Sequence, residues 1–135
     1  MGTFFHPITL VGPEGQRSTV DALVDTGASF TSMPEGILRE LGVQPVRRVR
    51  LRLADGSSHV QSLGEVVAEI DGESVQTLVI FGPEGSPAAI GAYTLEGLLL
   101  GVDPIEKRLV PLEAGGPDTC HQVSVEACTV GSFVN

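Results

Sequence analysis

Asp25-Thr26-Gly27-Ala28 follows directly on the apolar run Ala22-Leu23-Val24, and the tetrapeptide occurs once in 135 residues. A carboxylate delivered by a buried strand and turned by small residues is a candidate general base. Two carboxylates held side by side cannot both ionise cheaply, so one stays protonated as an acid while the other acts as a base. With one copy per chain, such a pair requires a second copy of the chain. Taken without its surroundings, Asp25 would be an ordinary turn aspartate with Gly27 supplying a positive φ. Ser29 lies close by, but no neighbouring histidine could activate it as a nucleophile. Asp55 and Asp71, each followed by glycine, read as hairpin residues, and Asp103-Pro104 reads as a turn. His6, His59 and His121 have no partner at useful spacing and read as surface or packing residues.

The elements that must position Asp25 are short strands. Phe4 to Leu10 reads as a strand at a sheet edge, because Pro7 cannot donate to a ladder. Ser18 to Val24 delivers Asp25. Pro34 to Leu41 reads as a helix with proline at its first turn and Gly42 at a left-handed stop. Val46 to Leu53 and His59 to Ile70 form a hairpin with its tip at Ala54-Asp55-Gly56-Ser57-Ser58, and Asp71-Gly72 turns the chain into Ser74 to Phe81. Ala88 to Gly91 is a brief apolar segment, Thr94 to Leu100 a second helix and Lys107 to Leu112 a last strand. Leu41-Gly42-Val43-Gln44-Pro45 recurs as Leu100-Gly101-Val102-Asp103-Pro104, the trace of a duplicated half-domain or of two helix stops that both use Gly and Pro.

A chain of 14.1 kDa has room for one domain. Its 17 acidic and eight basic residues give a formal charge of −9, which disfavours nucleic acid and anionic lipid as partners. The one basic cluster, Arg47, Arg48, Arg50 and Arg52, alternates with Val49, Leu51 and Leu53 and reads as the wet face of a strand, not as a phosphate site. No apolar run reaches the roughly 20 residues of a membrane span, and residues 1–10 lack the pattern of a signal peptide, so a cytoplasmic location is expected. Cys120 and Cys128 are expected to be reduced thiols there. With His121 they lack a fourth metal ligand, and no metal site is expected.

The order of these features resembles the retropepsin-like aspartic proteases over roughly Thr3 to Leu112. Leu23-Val24-Asp25-Thr26-Gly27-Ala28-Ser29 is similar to the family's catalytic loop, the Leu53 to His59 hairpin lies where the family has its flap, and Ala89-Ile90-Gly91 is similar to its second signature. The resemblance implies a mostly β, small closed β-barrel-like acid protease fold with one or two short helices. Residues 1–112 would form the protease domain, and 113–135 a C-terminal tail, disordered or adding a strand over Gln122 to Val130. It also implies a homodimeric endopeptidase with no cofactor, acting on polypeptide through a water activated by the paired Asp25 carboxylates. Thr26, Gly27 and Ala28 would complete the active-site loop, Thr26 reaching the opposite chain. Ser29, Leu53, Ala54, Asp55, Gly56, Ser57 and Ile90 would contact substrate, and the terminal strands Thr3 to Leu10 and Lys107 to Leu112 would join the subunits.

Two departures stand out. Ser29-Phe30 replaces the acidic residue that retroviral members often carry after Asp-Thr-Gly-Ala, and the flap tip is polar with one glycine. The alternative is a non-catalytic dimeric peptide-binding module of the same fold. A third reading is a small β-barrel ligand-binding protein in which Asp25 caps a turn.

Overall fold

The computed structural model describes residues 3–52 and 55–112. Among these described residues, nine strands and two short helices follow in the order β1 (Phe5–Val11), β2 (Arg17–Val24), β3 (Thr31–Pro34), α1 (Glu35–Glu40), β4 (Pro45–Arg52), β5 (Ser58–Ile70), β6 (Glu73–Gly82), β7 (Ala89–Ile90), α2 (Ala92–Gly97), β8 (Leu100–Asp103) and β9 (Arg108–Pro111). Seven strands share one sheet in the order β1-β2-β7-β3-β6-β5-β4. That sheet closes on itself where Thr9, Leu10 and Val11 of β1 pair with Glu69, Ala68 and Val67 of β5.

The closure depends on the length of β5. Its first half pairs with β4 from Arg52↔Ser58 to Pro45↔Gly64, whereas its second half pairs with β1, so β4 and β5 project from the barrel as a hairpin. The turn from β5 to β6 is the tight type that hairpins favour, with Asp71 at φ 52° and Gly72 at φ 88°. Inward residues of these strands, among them Ile8, Leu10, Ala22, Val24, Ala68 and Val79, form one core with Met33, Leu38 and Ile90. Alternation along each strand puts them there. Pro7 lies in the part of β1 that has β2 as its single neighbour, as a proline within a ladder requires.

Two halves of the chain are related by pairing. β2 runs parallel to β7, and β6 runs parallel to β3, so exchanging β2 with β6 and β3 with β7 preserves the arrangement. Each half is a hairpin, a loop, a short strand and a helix. The equivalence differs in register from the Leu-Gly-Val repeat, however. Helix α1 stops at Leu41 and then Gly42, φ 79°, while α2 stops at Leu98 and then Leu99, φ 57°. Leu98-Leu99 is therefore the counterpart of Leu41-Gly42, and Leu100-Gly101-Val102-Asp103 is a strand. Helix α2 also begins at Ala92 and ends at Gly97, two to three residues earlier than the composition suggests. Its first residue is set by Gly91 meeting the loop before β3, which no helix-start signal encodes.

Strands β8 and β9 form a separate two-stranded sheet. Asp103 Oδ1 accepts from Ile105 N at 3.0 Å and Glu106 N at 3.1 Å, making the turn expected of Asp103-Pro104. His6 does have a partner, since its Nε2 lies 3.1 Å from Asp71 Oδ1. The expected strand over Gln122 to Val130, Cys120, His121 and Cys128 lie outside the described residues. Among the described residues, no helix is long and apolar enough to cross a membrane.

Candidate active site

Asp25 is the first residue after β2, and its backbone is still tied to the sheet. Leu23 N donates to Ala88 O and Asp25 N to Ile90 O, both at 2.9 Å, while Val24 N donates to Phe4 O at 2.9 Å on the other side. The carboxylate therefore leaves a strand end fixed by β7 and by the segment entering β1, above the buried side chain of Val24. Gly27 N donates to Asp25 Oδ1 at 3.1 Å, and Ala28 N to Asp25 O at 3.1 Å. One carboxylate oxygen is thus oriented by the turn. Among the described residues, the other takes no hydrogen bond. Gly27 does not use a left-handed φ, so the turn is not what demands glycine there. A Cβ at that position would stand 3.4 Å from Asp25 Oδ1, in ordinary van der Waals contact with the carboxylate.

A second loop locks the first. Gly91 packs against the backbone of Phe30 so closely that a Cβ would lie 2.5 Å from Phe30 O. This close approach lets Ala92 N donate to Ala28 O at 2.8 Å and Tyr93 N to Ser29 O at 2.9 Å, joining the start of α2 to the Asp25 loop. Behind the junction lie three buried threonines. Gly91 N donates to Thr31 Oγ1 at 3.1 Å, and Thr94 Oγ1 sits 2.6 Å from Thr31 Oγ1 and 2.8 Å from Thr77 Oγ1. Three hydroxyls from β3, β6 and α2 satisfy one another in the core, as buried polar groups must. Their separations in sequence carry no motif, and sequence reasoning missed them.

Asp25 stands between two concavities. One, of about 530 Å³, is lined by Asp25, Gly27, Ala28 and Ser29 on its floor, by Arg50, Leu51, Arg52 and Gln61 of the projecting hairpin, and by Phe30, Ser32, Ile80, Pro87 and Ala89. The other, of about 500 Å³, is lined by Asp25, Thr26, Thr3, Phe4, Val24, Val102 and Pro104 and is mostly apolar. Thr26 is exposed beside it, and among the described residues its hydroxyl makes no hydrogen bond within the chain.

Ile90 is not at the groove. Its side chain is fully buried in the core, and its neighbour Ala89 lines the concavity instead, because a two-residue strand between β2 and β3 turns one side chain in and the other out. Asp55, Gly56 and Ser57 are exposed at the hairpin tip and do not line either concavity beside Asp25. Asp55 Oδ1 accepts from Ser57 N at 2.9 Å and from Ser57 Oγ at 2.6 Å. These bonds, that from the hydroxyl foremost, hold its pKa below the ordinary carboxylate value. Leu53 and Ala54 lie outside the described residues. On the projecting hairpin, the groove residues that the sequence did not single out are Arg50, Leu51, Arg52 and Gln61.

A family model described as "gag-polyprotein putative aspartyl protease" matches residues 14–107, which include Asp25, the projecting hairpin and Gly91. The chain belongs to this retroviral-type aspartyl protease family. No curated protein matches the chain significantly. Among solved structures, the aspartyl protease chain is similar to the simian foamy virus protease, determined in solution, with a TM-score of 0.51 at 17% identity. The similarity covers 69% of this chain and 92% of the viral one. At that identity it speaks for the fold, the mostly β retropepsin architecture.

Proposed function

We propose that the protein is a homodimeric aspartic endopeptidase in which the Asp25 carboxylates of two subunits share a proton and activate one water. The observation that carries this reading is the placement of Asp25: a strand-end carboxylate, single in its motif, fixed by Ile90 O and Gly27 N and open on two sides. One side is a groove of about 530 Å³ under a hairpin. The other is an apolar hollow beside Thr26, suited to a second copy of the same loop.

In this mechanism the ionised carboxylate takes a proton from water, while the protonated partner donates to the carbonyl oxygen of the scissile bond. The titration then belongs to the pair. An extended substrate lies in the groove as an added strand, and the β4–β5 hairpin acts as the flap over it.

We narrow the contact surface within and beside the two terminal segments. β1 is covered by β2 along its length and by β5 at Thr9 to Val11, whereas the β8–β9 hairpin carries exposed Ile105, 86% accessible, beside Pro104 and Val102 of the apolar hollow. The hairpin and the segment around Phe4 and Phe5 are the surface we assign to the partner.

The test is cleavage of an unstructured polypeptide by wild type and by Asp25→Asn. Loss of cleavage with an unchanged fold is expected, and cleavage that survives the change refutes the reading. Peptide binding without turnover across acidic and neutral pH would favour the non-catalytic alternative.

A further inference from the structure

We infer that the groove selects extended polypeptide segments with acidic side chains near the position over Asp25, and that Arg50 and Arg52 are the residues that select them. This rests on reading the groove as a polypeptide site, and it names the class of polypeptide.

Both arginines line the concavity that contains Asp25. Among the described residues, neither has a carboxylate within ion-pair distance. Their polar contacts are long ones, Arg50 Nη1 to Ser58 Oγ at 3.5 Å and Arg52 Nη1 to Gly56 O at 3.4 Å. Arg17 is paired with Glu69 at 2.5 Å and Arg39 with Glu35 at 3.2 Å, whereas Arg47, Arg48 and Arg108 have no ion pair among the described residues; of the unpaired arginines, Arg50 and Arg52 are the two that line the groove. The contrast is one of placement, since a chain of charge −9 has acids to spare. The hairpin sequence from Pro45 to Gly64 holds four arginines and one carboxylate, Asp55, which is turned onto Ser57. Among the described residues, Asp25 is the one acid lining the groove.

Spacing adds direction. Arg50 and Arg52 are two residues apart on β4, so they share a face and stand about 7 Å apart along the strand. Alternate side chains of an extended peptide repeat at the same interval. A peptide lying alongside the hairpin can therefore present carboxylates to both guanidinium groups, each able to bind one bidentately. In a two-fold dimer the pair recurs on the far side of the cut. Long-range repulsion from an acidic protein would be offset at this one strand, favouring acidic peptide over neutral peptide only where it can dock.

The experiment uses Asp25→Asn protein, so that binding is read without turnover. Its probes are two fluorescein-labelled, unstructured peptides differing only in Glu or Gln at two alternate positions. The Glu peptide should bind about tenfold more tightly at low salt, with the difference shrinking as salt rises. Arg50→Gln with Arg52→Gln should abolish the difference, Arg50→Glu with Arg52→Glu should turn the preference towards a Lys peptide, and Arg39→Gln should leave it intact. Equal binding of the Glu and Gln peptides, no binding of either, or a preference that survives the double Gln change overturns the inference. Equally strong competition by oligo-dT would mean a general polyanion site and also overturns it. Turnover is read separately with wild type: binding of the Glu peptide without cleavage of either peptide refutes the catalytic reading and still supports the selection.

Discussion

Gly91→Ala is the substitution whose cost follows most directly from the geometry of the site. The backbone at Gly91, φ −96° and ψ 173°, is open to any residue, so conformational strain contributes nothing. The obstacle is space. A Cβ would stand 2.5 Å from Phe30 O and 2.9 Å from Phe30 N, where non-bonded carbon contacts need about 3.5 Å. Both sides are backbone, so no side chain can swing away, and the two loops must part by roughly 1 Å. Parting them weakens three hydrogen bonds, Ala92 N to Ala28 O, Tyr93 N to Ser29 O and Gly91 N to Thr31 Oγ1. Overpacking costs about 1–3 kcal/mol, and each of the three weakened bonds up to about 1 kcal/mol more, giving roughly 1–6 kcal/mol. Against a total stability of about 5–15 kcal/mol this is a large share. Urea unfolding at fixed protein concentration measures it, and Gly27→Ala is the comparison: its Cβ has ordinary room at 3.4 Å, so it should cost less than about 1 kcal/mol. A cost below about 1 kcal/mol for Gly91→Ala would refute the claim that backbone contact at Phe30 holds the site together.

Other expectations concern the network, the turn, the carboxylate and the assembly. Thr94→Val removes the hydroxyl between Thr31 and Thr77 and should destabilise by about 1–3 kcal/mol in the same unfolding assay, without altering the groove lining. The Asp55 turn is held by the ionised carboxylate, whose pKa is lowered on folding by Ser57. Its ordering is thus complete above the ordinary carboxylate range and lost as pH falls through the depressed value. Ser57→Ala should move that loss to higher pH, read by amide exchange at residue 57. Asp25→Asn should lower cleavage at least about 10³-fold while leaving the melting curve in place, because asparagine keeps the oxygen that accepts from Gly27 N. Specific activity should fall on dilution, as an active centre completed by association requires, and a flat response into the nanomolar range would demand a very tight dimer.

Much of the architecture was legible because local chemistry and global fold agree. Asp71-Gly72 forms its turn with two left-handed residues, Gly42 stops α1, and the strand ending at Val24 carries Asp25 as its apolar pattern suggests. What escaped has physical reasons. β3 is four residues long and owes its strand character to parallel pairing with β6 and one contact with β7, neither visible locally. The end of α2 was misplaced because a leucine, Leu99, takes the left-handed position that glycine usually marks, while the nearby Gly101 sits in β8. Ile90 looked like groove floor and is core, since a one-residue difference in a strand reverses the side-chain direction. Arg50 and Arg52 read as the wet face of a strand. They are exposed, but the hairpin they belong to overhangs Asp25, which is a tertiary fact.

The central claim is that one working site is assembled from two chains. It is tested most directly by titrating the protein with a statine-type transition-state mimic, whose hydroxyl replaces the activated water, and reading the stoichiometry by native mass spectrometry. A complex of two chains with one inhibitor, absent in Asp25→Asn, is the predicted result. A single chain binding one inhibitor, with the same affinity at every protein concentration, would contradict it.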